Sequence, residues 1–187
     1  LRPTFGRVSR RGGMALCCSL DKVGPISRYV EDTGRVLSVL NGYDPGDLGS
    51  IEAPFSFDAR ATSKNLRVGY LAKAFGDGAN QIDHNALAAV KSLGFKVNEV
   101  ELEDLPYMSL INILYAEAAA AFEHLTLTNQ DDTLTWQDEG AWPNTFRKAR
   151  FLSAVDHVQL DRLRFLAMKA MDNLFTQVDV LVGPFDT

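Results

Sequence analysis

At 187 residues, 46% hydrophobic and 23% charged, the chain has ordinary globular composition and enough length for one domain-sized core, which excludes a fibrous or disordered polymer. The formal charge of −5, with Lys and Arg scattered rather than massed, leaves no electrostatic footprint for nucleic acid or an anionic membrane surface. No apolar run approaches the ~20 residues that a spanning helix needs, and the start lacks the charged-then-apolar order of a signal peptide. Leu1 is not an initiator Met, so the natural N-terminus is expected upstream.

In chain order, Met14-Ala-Leu-Cys-Cys-Ser-Leu20 is a short apolar run closed by Asp21 and Gly24-Pro25, the pattern of a buried strand and a turn. Cys17 and Cys18 lie within it. Adjacent cysteines rarely meet disulfide geometry, no third cysteine exists, and no His or Lys is local to activate them, so both read as buried small hydrophobes. A helix is predicted over Val30–Leu40, with Val30, Val36, Leu37 and Leu40 on one face, Glu31 and Asp32 at the favoured end of the dipole, and Asn41-Gly42 as the stop.

Tyr43 to Asn65, holding Asp44-Pro-Gly-Asp47 and Pro54, reads as a surface excursion. Leu66–Leu71 then reads as a strand. Asp83 is the expected cap of a helix running to Leu93, with Gly94 just past its end, and Phe95–Leu102 alternates like a second strand. Strand, helix, strand predicts a parallel pair.

Pro106 opens a predicted long helix to about Leu125, with Leu110, Ile111, Leu114, Ala118, Ala121, Phe122 and Leu125 at helical spacing. Thr126 to Pro143 reads as a polar loop. Ser153 and Asp156 resemble a capping box that starts a last helix through Leu174, and Val178–Val182 is a final short strand. Helices and strands therefore interleave as in an α/β protein.

Little in the chain carries chemistry by itself. The first eleven residues lack the GxxxxGK[ST] order of a phosphate loop, and Gly76-Asp-Gly78 reads as a turn with no nucleotide signal. Ser9, Ser19, Ser27 and Ser153 sit in no G-x-S-x-G or GGS context, so they read as turn hydroxyls or caps. His84, His124 and His157 are far apart and lack ligand spacing, so surface or packing roles are expected and no metal ligand is assigned.

Several segments, in order, closely resemble the amidase signature family of serine hydrolases: LRPTFGRVSR at 1–10, SLDKVGP at 19–25, the Val30-Glu-Asp helix start, NGYDPGD at 41–47, AEAAAAF at 116–122, and RFLSAVDH to VDVLVGP at 150–184. The resemblance covers essentially the whole chain and begins just downstream of the family's nucleophile. It implies an amidase-signature fold, a mixed β-sheet sandwiched by helices, incomplete here. It also implies amide hydrolysis through an acyl-enzyme by a Lys, a cis-peptide Ser and a nucleophilic Ser, with backbone donors for the oxyanion. The family's GGSSGG- and DTGGS-type motifs are absent, so no catalytic residue is assigned within residues 1–187, and the chain is expected to be the C-terminal part of one domain, inactive alone.

By the same resemblance Arg150 is the candidate substrate-binding residue, its planar fork suited to a carboxylate; the other reading is a structural ion pair with Asp156 or Glu117. Asp21 is expected to be structural, near the site, bonding nearby backbone N–H groups, and Lys22 to face solvent. Tyr29, Gly34, His157 and Gly183 depart from the family's usual Ser/Thr, Ala, Tyr and Thr; the first two should each cost up to about 1 kcal/mol. The expected partner is a small-molecule amide, with no cofactor, nucleic acid or membrane, and the expected location is cytoplasmic. Two alternatives stand: the A subunit of a tRNA-dependent amidotransferase, and a non-catalytic binding protein on an amidase framework.

Overall fold

In the computed structural model, residues 1–61, 65–76 and 79–185 are described. The helices are α1 (Val30–Leu40), α2 (Gln81–Ser92), α3 (Ile111–Ala121), α4 (Glu123–Leu127), α5 (Trp142–Ala149) and α6 (Ala154–Phe175); the strands are β1 (Val68–Leu71), β2 (Val97–Val100) and β3 (Val180–Val182). The chain divides into two compact units, one of Leu1–Ala61 with Ser109–Leu160 and one of Thr62–Met108 with Asp161–Thr187. The architecture is α/β.

In the second unit, β1 is the central strand of a parallel sheet in the order β2-β1-β3, with Val68 opposite both Val97 and Val180. Val100, Leu174 and Val178 form its buried cluster, with Leu71, Leu102 and Leu181 packed against them. Gly69 stands where this packing leaves no room: a Cβ there would lie 2.8 Å from Val178 Cγ1 and 3.1 Å from Val100 Cγ2. Arg67 joins the edge, its guanidinium 2.7 Å from Asp179 Oδ1 and its backbone N–H donating to Asp179 Oδ2 at 2.8 Å. The predicted parallel pairing is therefore present, while the cap of α2 is Asn80 rather than Asp83. The Asn80 side chain accepts from the Ile82 and Asp83 N–H groups and Asp83, at N3, accepts from the Asn80 N–H, so the carboxylate closes the capping box instead of opening the helix. Gly94, with φ of +86°, ends the helix in the left-handed region as expected. Of the Gly76–Gly78 turn, Asp77 and Gly78 lie outside the described residues.

In the first unit, α3 packs on α5. Ile113, Ala118, Ala119 and Phe146 are buried, the alanines allowing close approach, and Phe146 stacks between Phe122 at 5.1 Å and Trp142 at 5.6 Å. That stacking marks where the predicted single helix to Leu125 is broken. Phe122 leaves helical geometry (φ −106°, ψ 21°), which divides the segment into α3 and α4. The expected loop to Pro143 also gives way at its end, where Pro143 in the first turn and Arg147 and Lys148 in the last suit the two ends of α5. Arg147 pairs with the buried Asp131 at 2.7 Å, fixing the preceding loop.

Helix α1 has the predicted bounds, and Tyr29 supplies no side-chain cap. Gly34 is more than a cost in helix propensity: it is buried, and a Cβ there would come within 2.6 Å of the Phe57 ring. At α6, Ser153 Oγ accepts from the Asp156 N–H at 3.0 Å, which is half of the expected capping box; the Asp156 carboxylate accepts from the Ser153 hydroxyl instead of from its N–H.

The sheet core generates the first prediction. Gly69→Val should cost about 1–3 kcal/mol through overpacking against Val178 and Val100, read as a lower urea midpoint with an unchanged slope.

Candidate functional site

All the segments that carry the family resemblance except the last, at 178–184, lie in the first unit. Residues 1–11 have no ladder of their own and are held mainly by residues 41–54, with further bonds from the Leu1 ammonium to the Pro25 carbonyl and from Arg10 to the Cys18 carbonyl. Arg7 donates to Asn41 Oδ1 at 3.0 Å and to the Pro54 carbonyl at 3.1 Å, Ser9 Oγ donates to Asp44 Oδ2 at 2.6 Å, and the Ile51 N–H donates to the Gly6 carbonyl at 2.9 Å. Arg10 makes the strongest of these ties: its fork reaches both Asp47 oxygens, at 3.0 and 3.2 Å, while its backbone N–H donates to Asp47 Oδ2 at 2.9 Å. The pair is mostly shielded, with side-chain exposures of 20% and 10%. Its bonds, with the Gly49 N–H, hold the Asp47 carboxyl well below the usual carboxylate range and raise the Arg10 guanidinium further. Gly6, with φ of +82°, lets the two segments touch, since a Cβ would lie 2.5 Å from the Gly49 carbonyl oxygen.

The predicted strand over Met14–Leu20 is instead a turn. Its apolar residues have no neighbouring strand to pair with among the described residues, and side chains satisfy its backbone. Asp21 Oδ2 accepts from the Leu16 and Cys17 N–H groups at 2.8 and 2.9 Å, Arg10 donates to the Cys18 carbonyl, and the Leu20 and Asp21 N–H groups return to the Cys17 carbonyl. Lys22 faces solvent and donates to the Leu20 carbonyl.

The turn is fastened to α3 by Glu117, expected from the sequence only as a possible partner of Arg150. Glu117 Oε2 accepts from the Ser19 N–H at 2.8 Å, from Cys18 Sγ at 3.1 Å and from Cys17 Sγ at 3.3 Å, and Oε1 accepts from the Ser19 hydroxyl. Burial pushes this carboxyl up, and the bonds from Ser19 and the two thiols outweigh it, bringing it down to about 2. Cys17, 1% exposed, is pushed up to about 11 by burial and by Glu117. Cys18 is exposed, contrary to expectation, because the turn directs it outward; Glu117 raises its thiol as well.

Arg150 lines a groove of about 480 Å³ with Glu117, Glu123, Ser153 and His157. Its ion pair is with Glu123 at 3.0 Å, rather than with Asp156 or Glu117. The division into α3 and α4 brings Glu123 into place at the start of α4. His157 Nδ1 is buried without a hydrogen-bond partner. Asp21 lies apart from this groove, lining a second cavity of about 440 Å³ with Arg10, Cys18 and Asp47. His84, His124 and His157 do not converge, and among the described residues no three His, Cys, Asp or Glu side chains are placed to hold a metal ion. The hydroxyls of Ser9, Ser19 and Ser153 each donate to a carboxylate, the Ser9 and Ser19 bonds joining segments distant in sequence and the Ser153 bond lying at the start of α6.

This geometry has consequences for stability. Gly6→Ala should cost about 1–3 kcal/mol, combining a strained φ with the approach to Gly49, read by denaturant unfolding. Glu117 has a depressed value in the folded state, so its contribution is present above its ordinary value of about 4.3 and is lost as pH falls towards about 2. Unfolding measured at pH 7, 4 and 2.5 should show this decline, and Glu117→Gln should reduce it, leaving the part due to the lowered Asp44, Asp47 and Asp179 carboxyls.

The amidase family model matches residues 1–187. The chain is 37% identical to the A subunit of the glutamyl-tRNA(Gln) amidotransferase of Microcystis aeruginosa, over 98% of this chain and 44% of that protein. It is 31% identical to an amidase of Pseudomonas putida, over 98% and 40%. A solved structure described as a vestigial protein complex revealing the origins of an s-triazine catabolic enzyme aligns with TM-score 0.81 and 23% identity, covering 96% of this chain and 39% of its own. The chain thus spans less than half the length of the curated relatives it matches, and over that span the family model, the sequence relatives and the fold agree: it belongs to the amidase signature family.

Proposed function

We propose that the chain is the C-terminal part of a single amidase-signature domain, and that the intact protein hydrolyses a small carboxylic amide through a serine acyl-enzyme. The observation that carries this reading is the family match along the whole chain. The Lys, cis-peptide Ser and nucleophilic Ser of the mechanism lie upstream of Leu1 in this proposal, so residues 1–187 alone are inactive. The residues present scaffold and bind. Arg10, Asp47 and Asp21 hold the loops that follow the nucleophile, with Asp21 structural and beside the site, and Arg150 offers its fork to a substrate carboxylate in the groove. No helix among the described residues is long and apolar enough to cross a membrane; a cytoplasmic location is part of the proposal.

A second reading is the A subunit of a tRNA-dependent amidotransferase, favoured by the likeness to the Microcystis protein. The two readings part on substrate. The complete reading frame, extended upstream of Leu1, should release ammonia from simple amides if it is a free-standing amidase, and from glutamine with partner subunits if it belongs to an amidotransferase. Changing the upstream nucleophilic Ser to Ala should remove several powers of ten in kcat. Arg150→Ala should raise KM about ten- to a hundredfold for a carboxylate-bearing amide, from the loss of charged hydrogen bonds, with little effect on a neutral one. Release of ammonia from none of these substrates would favour a non-catalytic binding protein.

A further inference from the structure

We propose that Glu117 is a positioning residue: its carboxylate fixes the Cys17–Ser19 turn against α3 at the groove containing Arg150, and in doing so ties down both thiols as hydrogen-bond donors. The proposal deepens the amidase reading and rests on it only for its kinetic consequence.

The geometry asks for a carboxylate. Four donors from three consecutive residues converge on its two oxygens, the Ser19 N–H and hydroxyl and the Cys17 and Cys18 thiols. An ionised carboxylate is acceptor-only and has lone pairs for all four, whereas Gln offers one acceptor oxygen and turns an N–H₂ group towards donors. No backbone ladder stands in reserve, because the turn pairs with no strand among the described residues. The other charged groups facing it are Arg10, bound to the Cys18 carbonyl, and Asp21, bound to the Leu16 and Cys17 N–H groups. Arg10 favours the Cys18 thiolate and Asp21 disfavours that of Cys17. Glu117 also lines the groove with Arg150, Glu123 and His157, so the residue that fixes the turn is part of the wall against which a ligand of Arg150 lies.

The chemical consequence is that two adjacent thiols, one of them exposed, are made less reactive by their hydrogen-bond acceptor. The structural one is that the turn keeps its place while Glu117 is ionised, and loosens when that acceptor is lost.

The test uses the protein expressed from its complete reading frame. Peptide-resolved alkylation of Cys17 and Cys18 with iodoacetamide, followed from pH 6 to 10, should show wild-type Cys18 reacting more slowly than free cysteine. In Glu117→Gln its rate at pH 8 should rise severalfold, because loss of the acceptor raises the thiolate fraction. On the amide that the protein hydrolyses, the same variant should raise KM about tenfold through displacement of the groove wall and leave kcat within about threefold; Glu117→Asp should restore part of the loss. A folded Glu117→Gln protein with a wild-type alkylation profile overturns the proposal, as does an unchanged KM. Hydrogen exchange in the wild type needs no variant: a protected Ser19 amide supports the clamp, and an amide exchanging at the free-peptide rate overturns it. If the complete protein hydrolyses no amide, the amidase reading fails while alkylation and exchange still decide the role of Glu117.

Discussion

The first unit depends on one constraint: backbone polar groups in long non-repetitive segments must find partners, and here carboxylates supply them. Arg10 and Asp47 are 37 positions apart, and their fork joins two loops that have no sheet between them beyond a single bridge of Val8 with Asn41. Around that fork, Asp44 takes the Ser9 hydroxyl and the Gly46 N–H, Asp47 also takes the Gly49 N–H, and Asp21 takes two N–H groups of the following turn. Glu117 then reaches across from α3 to the same turn. A charged acceptor bonding two or three donors gives more than a neutral one, which is how loops with no ladder remain ordered.

The fold was legible wherever local signals decided it. The bounds of α1 could be read from its acidic first turn and its Asn-Gly stop, although of its predicted apolar face only Leu37 is buried while Val30, Val36 and Leu40 are exposed. The β1–α2–β2 unit could be read from alternating strand and helix patterns that favour a parallel pairing. Reading failed where a contact distant in sequence chose between equal local options. Met14–Leu20 has a strand's composition but no partner strand, and four side chains make it a turn. The break at Phe122 has no Gly or Pro to announce it, because its signal is the ring of Phe146. The start of α5 did carry a local mark, Pro143 in its first turn, outweighed by the polar run before it.

The site shows the same division. The motifs at 1–10, 19–25 and 41–47 identified the family, yet nothing in one sequence says that Ser9 and Arg10 belong to Asp44 and Asp47, since pairing is a property of the folded loops. The role of Glu117 as an acceptor for the turn, rather than as a partner of Arg150, was invisible for a related reason. In AEAAAAF it resembles one more solvent-facing helix residue, and only the turn 98 positions earlier makes it an acceptor. Gly34 reverses a judgement drawn from propensity alone: the missing methyl costs helix stability, and the space it leaves is taken by Phe57.

Arg150 illustrates how exposure sets what an ion pair can do. Its partner Glu123 is half exposed, 51% against 39% for Arg150, and pairs of this kind contribute only about 0–1 kcal/mol. The pair therefore holds the guanidinium in the groove at almost no cost to its later use. A carboxylate-bearing ligand, as proposed for Arg150, competes with Glu123 for a fork already oriented, and Glu123 can return to water when displaced. A buried partner would reverse this balance, because leaving it unpaired costs several kcal/mol. Placing the counter-ion of Arg150 on the short, exposed α4 rather than on the packed face of α3 thus keeps the fork both ordered and available.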